Sequence, residues 1–155
     1  VRDYLAEQVA LRFHWNPDIE LHIEADSGAY RYQLALAFNE FWFQPPRQRT
    51  FANEFELHAG GSLLDGAVEG FRDALRAFLL ESGVPSHIKK KWLQPRLLVL
   101  AGVRGKAFDF AGCTRTKLGT AQVQKESRTL VRQHLADWFR QNPALAERIS
   151  NQFRQ

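Results

Sequence analysis

Two stretches of strict alternation constrain this chain more than any other feature. Ile19, Leu21 and Ile23 alternate with Glu20, His22 and Glu24, and Tyr30, Tyr32, Leu34, Leu36 and Phe38 alternate with Arg31, Gln33, Ala35 and Ala37. A period of two places one set of side chains on a single face of a strand, so both runs predict half-buried strands. Asp26-Ser27-Gly28 between them tolerates turn dihedrals, which predicts an antiparallel hairpin. After Pro45-Pro46 the alternation resumes in Phe51, Phe55 and Leu57 with Asn53, Glu54 and Glu56 between, a third or fourth strand. Leu97 to Val103 is apolar on both faces and too short for a typical helix, as expected of a central strand, with Arg104-Gly105-Lys106 turning the chain after it.

The other segments carry helical spacing. Leu5, Val9 and Leu11 among charges predict a short N-terminal amphipathic helix. Gly60-Gly61 closes the strand region, and Ser62 with Asp65 has the form of a capping box. Gly66 and Gly70 are expected to weaken the start of the helix that follows. Its buried stripe is Val68, Phe71, Leu75, Phe78 and Leu79, and Gly83 before Pro85 stops it. Val123, Leu130, Val131, His134, Leu135, Trp138 and Phe139 mark a long helix, and Asn142-Pro143 starts another over Ala144 to Phe153. Segregated strands and helices favour a two-layer α+β domain, a mostly antiparallel sheet with helices on one face. At 155 residues, with twelve Phe and four Trp, one core forms without disulfides, and the single Cys excludes a disulfide framework. No apolar stretch approaches the roughly 20 residues that span a bilayer, and no signal pattern opens the chain, so no membrane partner and a cytoplasmic or nucleoid location are expected. Met is absent, position 1 included, which suggests a piece excised from a longer polypeptide, and removal of an initiator Met gives the same pattern.

The formal net charge of +4 is divided unevenly: residues 1–86 sum to −6 and residues 87–155 to +10. A basic half attracts phosphates of a nucleotide or a nucleic acid, though solvated helix faces give the same count. The five His, at 14, 22, 58, 87 and 134, lack ligand spacing, so no metal site is expected. No Walker-type loop, GxSxG elbow or GxGxxG is present. Cys113 lies near basic Arg115 without an adjacent His to serve as base, and reads as a passive small residue. What remains is a basic loop in which Arg104, Lys106, Arg115 and Lys117 bracket Gly105, Gly112 and Gly119. Close backbone approach and long cations suit a phosphate oxygen, and an ordinary basic turn has the same residue types.

The run Gly112-Cys113-Thr114-Arg115-Thr116-Lys117-Leu118-Gly119, followed by a long helix and Asn142-Pro143-Ala144, resembles the transducer domain of the DNA gyrase B and topoisomerase IV ATPase subunit family. Val1-Arg2-Asp3-Tyr4-Leu5, Phe51-Ala52-Asn53, Gly60-Gly61 and Gly70-Phe71-Arg72 agree with it in the same order, so the resemblance covers nearly the whole chain. It implies a ribosomal protein S5 domain 2-like fold and a single transducer-like domain over 1–155. Within it, 1–15 is an N-terminal helix or linker, 16–118 holds the sheet, packing helix and phosphate-sensing loop, and 119–155 holds the C-terminal helices.

In that family ATP binds in a preceding GHKL domain, with Mg2+ in the parent enzyme, and a Gln-Thr-Lys loop of the transducer touches the terminal phosphate. The resemblance places the Gln at Cys113 and the Lys at Arg115, with Thr114 between and Lys117 as a further contact. Both contact residues differ: Arg keeps the charge with another geometry, and Cys lacks the hydrogen bonds of an amide. The longer stretch between Gly61 and Gly70, without the family's His, is a second departure. The implied function is ATP-coupled strand passage in a type II topoisomerase, an isomerase, with the isolated domain inactive. Implied partners are double-stranded DNA, the ATPase and cleavage domains of the same polypeptide, a gyrase A-like subunit and a second copy. Candidate DNA contacts are Lys89, Lys90, Lys91 and Arg96, with Arg128, Arg132 and Arg140 on the long helix. A diverged paralogue, a mismatch-repair or chaperone-type clamp, and an ATP-independent nucleic-acid module are the alternatives.

Overall fold

The computed structural model describes residues 18–39, 47–84, 87–110 and 117–153. The expected N-terminal helix and Cys113, Thr114 and Arg115 lie outside the described residues. The predicted hairpin forms from β1 (Ile19–Asp26) and β2 (Tyr30–Phe38), in a register that pairs Ile19 with Phe38 and Asp26 with Arg31. The next strands are β3 (Arg47–Ala52), β4 (Phe55–Glu56) and the central β5 (Leu97–Gly105). Helices α1 (Ser62–Glu81), α2 (Lys90–Leu93), α3 (Ala121–Gln141) and α4 (Pro143–Phe153) complete the order, with a 3-10 turn at Gln94–Arg96.

The sheet runs β1-β2-β5-β3-β4, antiparallel except where β3 lies parallel to β5. Alternation explains its two faces. Ile19, Leu21, Ile23, Leu34, Leu36, Phe38, Leu97, Val99 and Ala101 are buried in one core with Phe71, Leu75 and Leu79 of α1 and Val123, Val131 and Leu135 of α3. Full burial of each large apolar side chain stabilises by roughly 1.5–3 kcal/mol. On the reverse face Ala35, Ala37, Leu98 and Leu100 form a small second cluster. The fold is therefore the expected α+β pair of layers, with α1 and α3 packed on one side of a mostly antiparallel sheet.

Four local expectations are corrected. The run from Phe51 to Leu57 is two strands, because Asn53 adopts φ 55 and turns the chain between them, leaving Phe55 exposed. The turn at 104–106 comes later than expected, since β5 continues through Gly105 in register with Tyr30. The capping box does not form: Gly61 occupies the N-cap, and the Ser62 Oγ is buried without a partner among the described residues. Gly66 and Gly70 do not loosen a first turn but admit a neighbour. A Cβ at Gly66 would lie 2.5 Å from the Gln124 carbonyl oxygen, and one at Gly70 would lie 3.0 Å from the Arg128 Cα. Asn142 also divides its work: its amide donates to the Trp138 carbonyl at 2.9 Å, ending α3, while its own carbonyl accepts from Ala146 N at 2.9 Å and opens α4.

A half-buried hydrogen bond fixes α3 to the sheet. The Tyr32 hydroxyl donates to Glu126 Oε1 at 2.8 Å, and the same oxygen accepts from the Ser27 hydroxyl at 3.0 Å. Burial, then the Glu126 carboxylate, pushes the Tyr32 pKa up. The folded chain thus keeps this phenol protonated where an unfolded chain ionises it, near pH 10. Its contribution is complete below that pH and declines as pH rises further. Tyr32→Phe should therefore lose stability less steeply than the parent chain above about pH 10, while below pH 9 the difference between them stays constant. Urea unfolding at stepped pH reads both, and parallel alkaline slopes contradict the assignment.

Candidate functional site

The glycine-bracketed basic segment ends in a three-way junction of backbone. Leu118, buried, makes a parallel bridge with Gly61 and an antiparallel bridge with Phe110. Its N–H donates to the Gly60 carbonyl at 3.1 Å and its carbonyl accepts from Ser62 N at 2.8 Å. The Ser62 N–H that a capping box would have satisfied is used here, which is why the box is absent. Gly119 N donates to the Asp109 carbonyl at 2.8 Å, and the buried Thr120 hydroxyl accepts from Asp109 N at 2.9 Å. The two ends of segment 111–116 are thereby held together, at the point where α1 and α3 both begin. Gly61 permits this contact: its φ is 113, and a Cβ there would lie 2.6 Å from Leu118 N and closer still to its carbonyl oxygen.

Of the residues expected to meet phosphate, Lys117 stands exposed at this junction and has no ion pair among the described residues. Arg104 is turned to Glu54 at 3.4 Å, and Lys106 is exposed. Phe110 continues into an aromatic chain: ring centroids lie 6.4 Å apart between Phe110 and Phe108, 5.3 Å between Phe108 and Tyr30, and 6.5 Å between Tyr30 and Tyr32. Tyr32 then reaches Glu126 on α3.

The candidate DNA contacts divide into engaged and open cations. Arg128 donates to Asp73 Oδ2 at 2.7 Å and to Glu69 Oε2 at 3.1 Å; the Asp73 carboxylate foremost raises its pKa. Lys90 lies 3.4 Å from Glu69 and 3.7 Å from Asp65. Arg140 pairs with Asp137, and the Arg96 guanidinium sits 4.1 Å over the Trp92 ring. Lys89, Lys91 and Arg132 are exposed and without an ion pair among the described residues. Sequence reasoning missed the acidic counterpart. Asp65, Glu69 and Asp73, spaced by four, put a carboxylate on successive turns of one helix face, a signal that was present and points to a cationic neighbour.

Known proteins resemble this chain in sequence and in fold. The family model of DNA gyrase B matches residues 1–155. The chain belongs to the DNA gyrase B family. It is 26% identical over 142 residues to the DNA gyrase B protein of Treponema pallidum, an alignment covering 86% of this chain and 22% of that protein. The novobiocin-resistant DNA gyrase B protein of Streptomyces niveus is 30% identical over 102 residues, 61% of this chain and 14% of the relative. The chain thus spans less than a quarter of the length of these gyrase B relatives. Among solved structures, the topoisomerase IV ATP-binding domain of Francisella tularensis superposes with a TM-score of 0.77 at 20% identity, covering 97% of this chain and 40% of that one. The 43K ATPase domain of Thermus thermophilus gyrase B gives 0.74 at 16%, covering 94% and 40%. These likenesses establish the fold. Among the described residues, no helix is long and apolar enough to cross a membrane.

Proposed function

We propose that this gyrase B family chain is the transducer element of an ATP-dependent type II topoisomerase, acting in the cytoplasm and coupling nucleotide state in a preceding GHKL domain to DNA strand passage. The observation that carries the reading is the Leu118 junction. A segment bearing Cys113, Thr114, Arg115 and Lys117 returns to a point bonded to both Gly60 and Ser62, so tension on it acts on α1 and α3 together rather than on the following helix alone. Lys117, exposed at that point, fits a phosphate oxygen, and Arg115 is the cation assigned to the terminal phosphate of ATP. Cys113 stands where the family has an amide and contributes no comparable bond. When bound, ATP with Mg2+ supplies the free energy of phosphate release; this chain's part is to hold a phosphate oxygen and pass on displacement.

Arg115→Ala in the full-length parent should lower ATP turnover at least tenfold while changing nucleotide affinity by less than threefold, since a contact made late in the reaction acts on kcat. Steady-state hydrolysis and nucleotide titration separate the two. If Lys117→Ala loses turnover while Arg115→Ala retains it, the register of the loop is displaced by two residues; if both retain it, phosphate sensing by this segment is refuted.

DNA contact is proposed through the basic half, without base reading. The three open cations, Lys89, Lys91 and Arg132, have the most to gain from phosphates, whereas Lys90, Arg96, Arg128 and Arg140 must first leave partners. Duplex binding by this chain should weaken more than tenfold between 50 and 200 mM salt, and Lys89→Ala with Lys91→Ala should flatten that slope by roughly one to two charges. A salt-independent affinity contradicts the electrostatic contact. The parent dimer, a gyrase A-like subunit and a following cleavage domain complete the proposed assembly.

A further inference from the structure

The sheet face turned away from α1 and α3 carries a cleft of about 690 Å³ at its turn end, lined by Glu24, Arg31, Gln33, Phe51, Gly102 and Arg104 among others. This volume falls in the range of small-molecule sites and far exceeds a bare inorganic ion. Strand register sets its order. Glu24, Gln33, Gly102 and Phe51 form one row across four strands, and Asp26, Arg31 and Arg104 form the next. Arg31 and Arg104 stand directly opposite each other on adjacent antiparallel strands. Like charges in that position oppose each other. Their carboxylate partners sit on the outer flanks: Arg31 Nε donates to Asp26 Oδ2 at 3.0 Å, and Arg104 Nη2 reaches Glu54 Oε1 at 3.4 Å. Asp26 is occupied further by the Gly28 N–H at 2.9 Å. Both Nη atoms of Arg31, and the Nε and Nη1 of Arg104, have no acceptor among the described residues.

We propose that this cleft binds a small aromatic anion, its phosphate or carboxylate held between Arg31 and Arg104 and its ring over the Gly102–Val103 backbone beside Phe51. Each guanidinium keeps N–H groups beyond those its carboxylate engages, and the planar oxygens of either anion, seated between these two opposed residues, match them. Behind them Gly102 contributes no side chain, so the floor is strand backbone from Gly102 to Val103, and the Phe51 side chain gives the cleft an apolar wall. Gln33 supplies a further preference. Its Oε1 is buried without a hydrogen-bond partner among the described residues, a costly state that an N–H on the ligand relieves. The site lies on the opposite side of the sheet from the junction of Gly61 and Leu118, so it stands whether or not the transducer reading holds.

Amide-resolved NMR of the labelled 155-residue chain tests it with AMP, with indole-3-acetate and with uncharged adenosine. Expected are saturable shifts at Arg31, Gln33, Gly102 and Arg104 with one or both anions, and at least tenfold weaker binding of adenosine than of AMP. A response to AMP alone assigns phosphate, and a response to indole-3-acetate alone assigns carboxylate. Arg31→Gln and Arg104→Gln, both changes to solvent-exposed side chains, should each weaken binding at least tenfold with the spectrum otherwise preserved, while Lys117→Ala leaves it unchanged. Shifts that never saturate, adenosine binding as well as AMP when indole-3-acetate gives no response, indifference to both Arg variants, or shifts confined to residues 117–120 and abolished by Lys117→Ala would each overturn the proposal.

Discussion

Gly61→Ala is expected to cost this chain about 4 kcal/mol, a large fraction of the 5–15 kcal/mol that holds a domain together. Two terms add. A φ of 113 with ψ of −149 is closed to an L side chain, which carries about 1–3 kcal/mol of strain. The new Cβ also meets Leu118 backbone, with its nitrogen at 2.6 Å and its carbonyl carbon at 2.9 Å, and backbone stitched on both sides cannot rotate away as a side chain does. Overpacking of this kind adds about 1–3 kcal/mol. For a chain of this length the midpoint of thermal unfolding should fall by roughly 8–16 °C. Gly83→Ala is the control, because Gly83 also has positive φ, 76, but nothing among the described residues lies within 4 Å of a Cβ there. It should lose only the conformational part, about 1 kcal/mol. Equal losses at the two positions would show that the Leu118 junction contributes nothing, and with it the mechanical link from the basic segment to α1 would fall.

β5, buried on both faces, was legible as a short unbroken apolar run. Alternation made β1 and the start of β2 legible because one face of each is buried there, and a slip of one residue would expose Ile19, Leu21 and Ile23 together. The helices were legible for the same reason, their apolar stripes at 71, 75 and 79 and at 123, 131, 135 and 139. Contacts made through backbone were not. Gly61, Gly66 and Gly70 read as flexible or weakening positions because composition says nothing of what approaches a missing Cβ. The capping box at Ser62 and Asp65 failed through competition: a local hydrogen bond was displaced by one from Leu118, 56 positions away in sequence. The split of the Phe51–Leu57 run depends on a single dihedral at Asn53. For the candidate site, residue types suggested phosphate but left Lys90 and Arg128 looking free, since pairing with Glu69 and Asp73 exists only once α1, α2 and α3 have met.

That meeting of α1 and α3 gives the second large effect, expected for Gly70→Ala. In an isolated helix the change would help by about 1 kcal/mol, because glycine is the poorer helix former. Here a Cβ would lie 3.0 Å from both the Cα and the carbonyl carbon of Arg128, and nearer still to its oxygen. Both are parts of helix backbone, so the helices must separate by the better part of an ångström. Separation also stretches the bonds from Arg128 to Asp73 and Glu69, at 2.7 and 3.1 Å. It removes contact along the seam where Ser127, fully buried, bonds back to the Val123 carbonyl at 2.7 Å. Overpacking at about 1–3 kcal/mol, with the strained charge-assisted bonds added, outweighs the propensity gain and leaves a net loss of about 2 kcal/mol. Chemical unfolding of the 155-residue chain measures it. A net gain instead would mean that the two helices slide without cost, and a pair that slides freely cannot carry displacement from the Leu118 junction as one body. In the full-length parent the same variant should then separate the two activities the proposed function joins: ATP turnover retained within about threefold, and strand passage per ATP reduced at least tenfold. Proportional loss of both would place the defect in folding rather than in transmission.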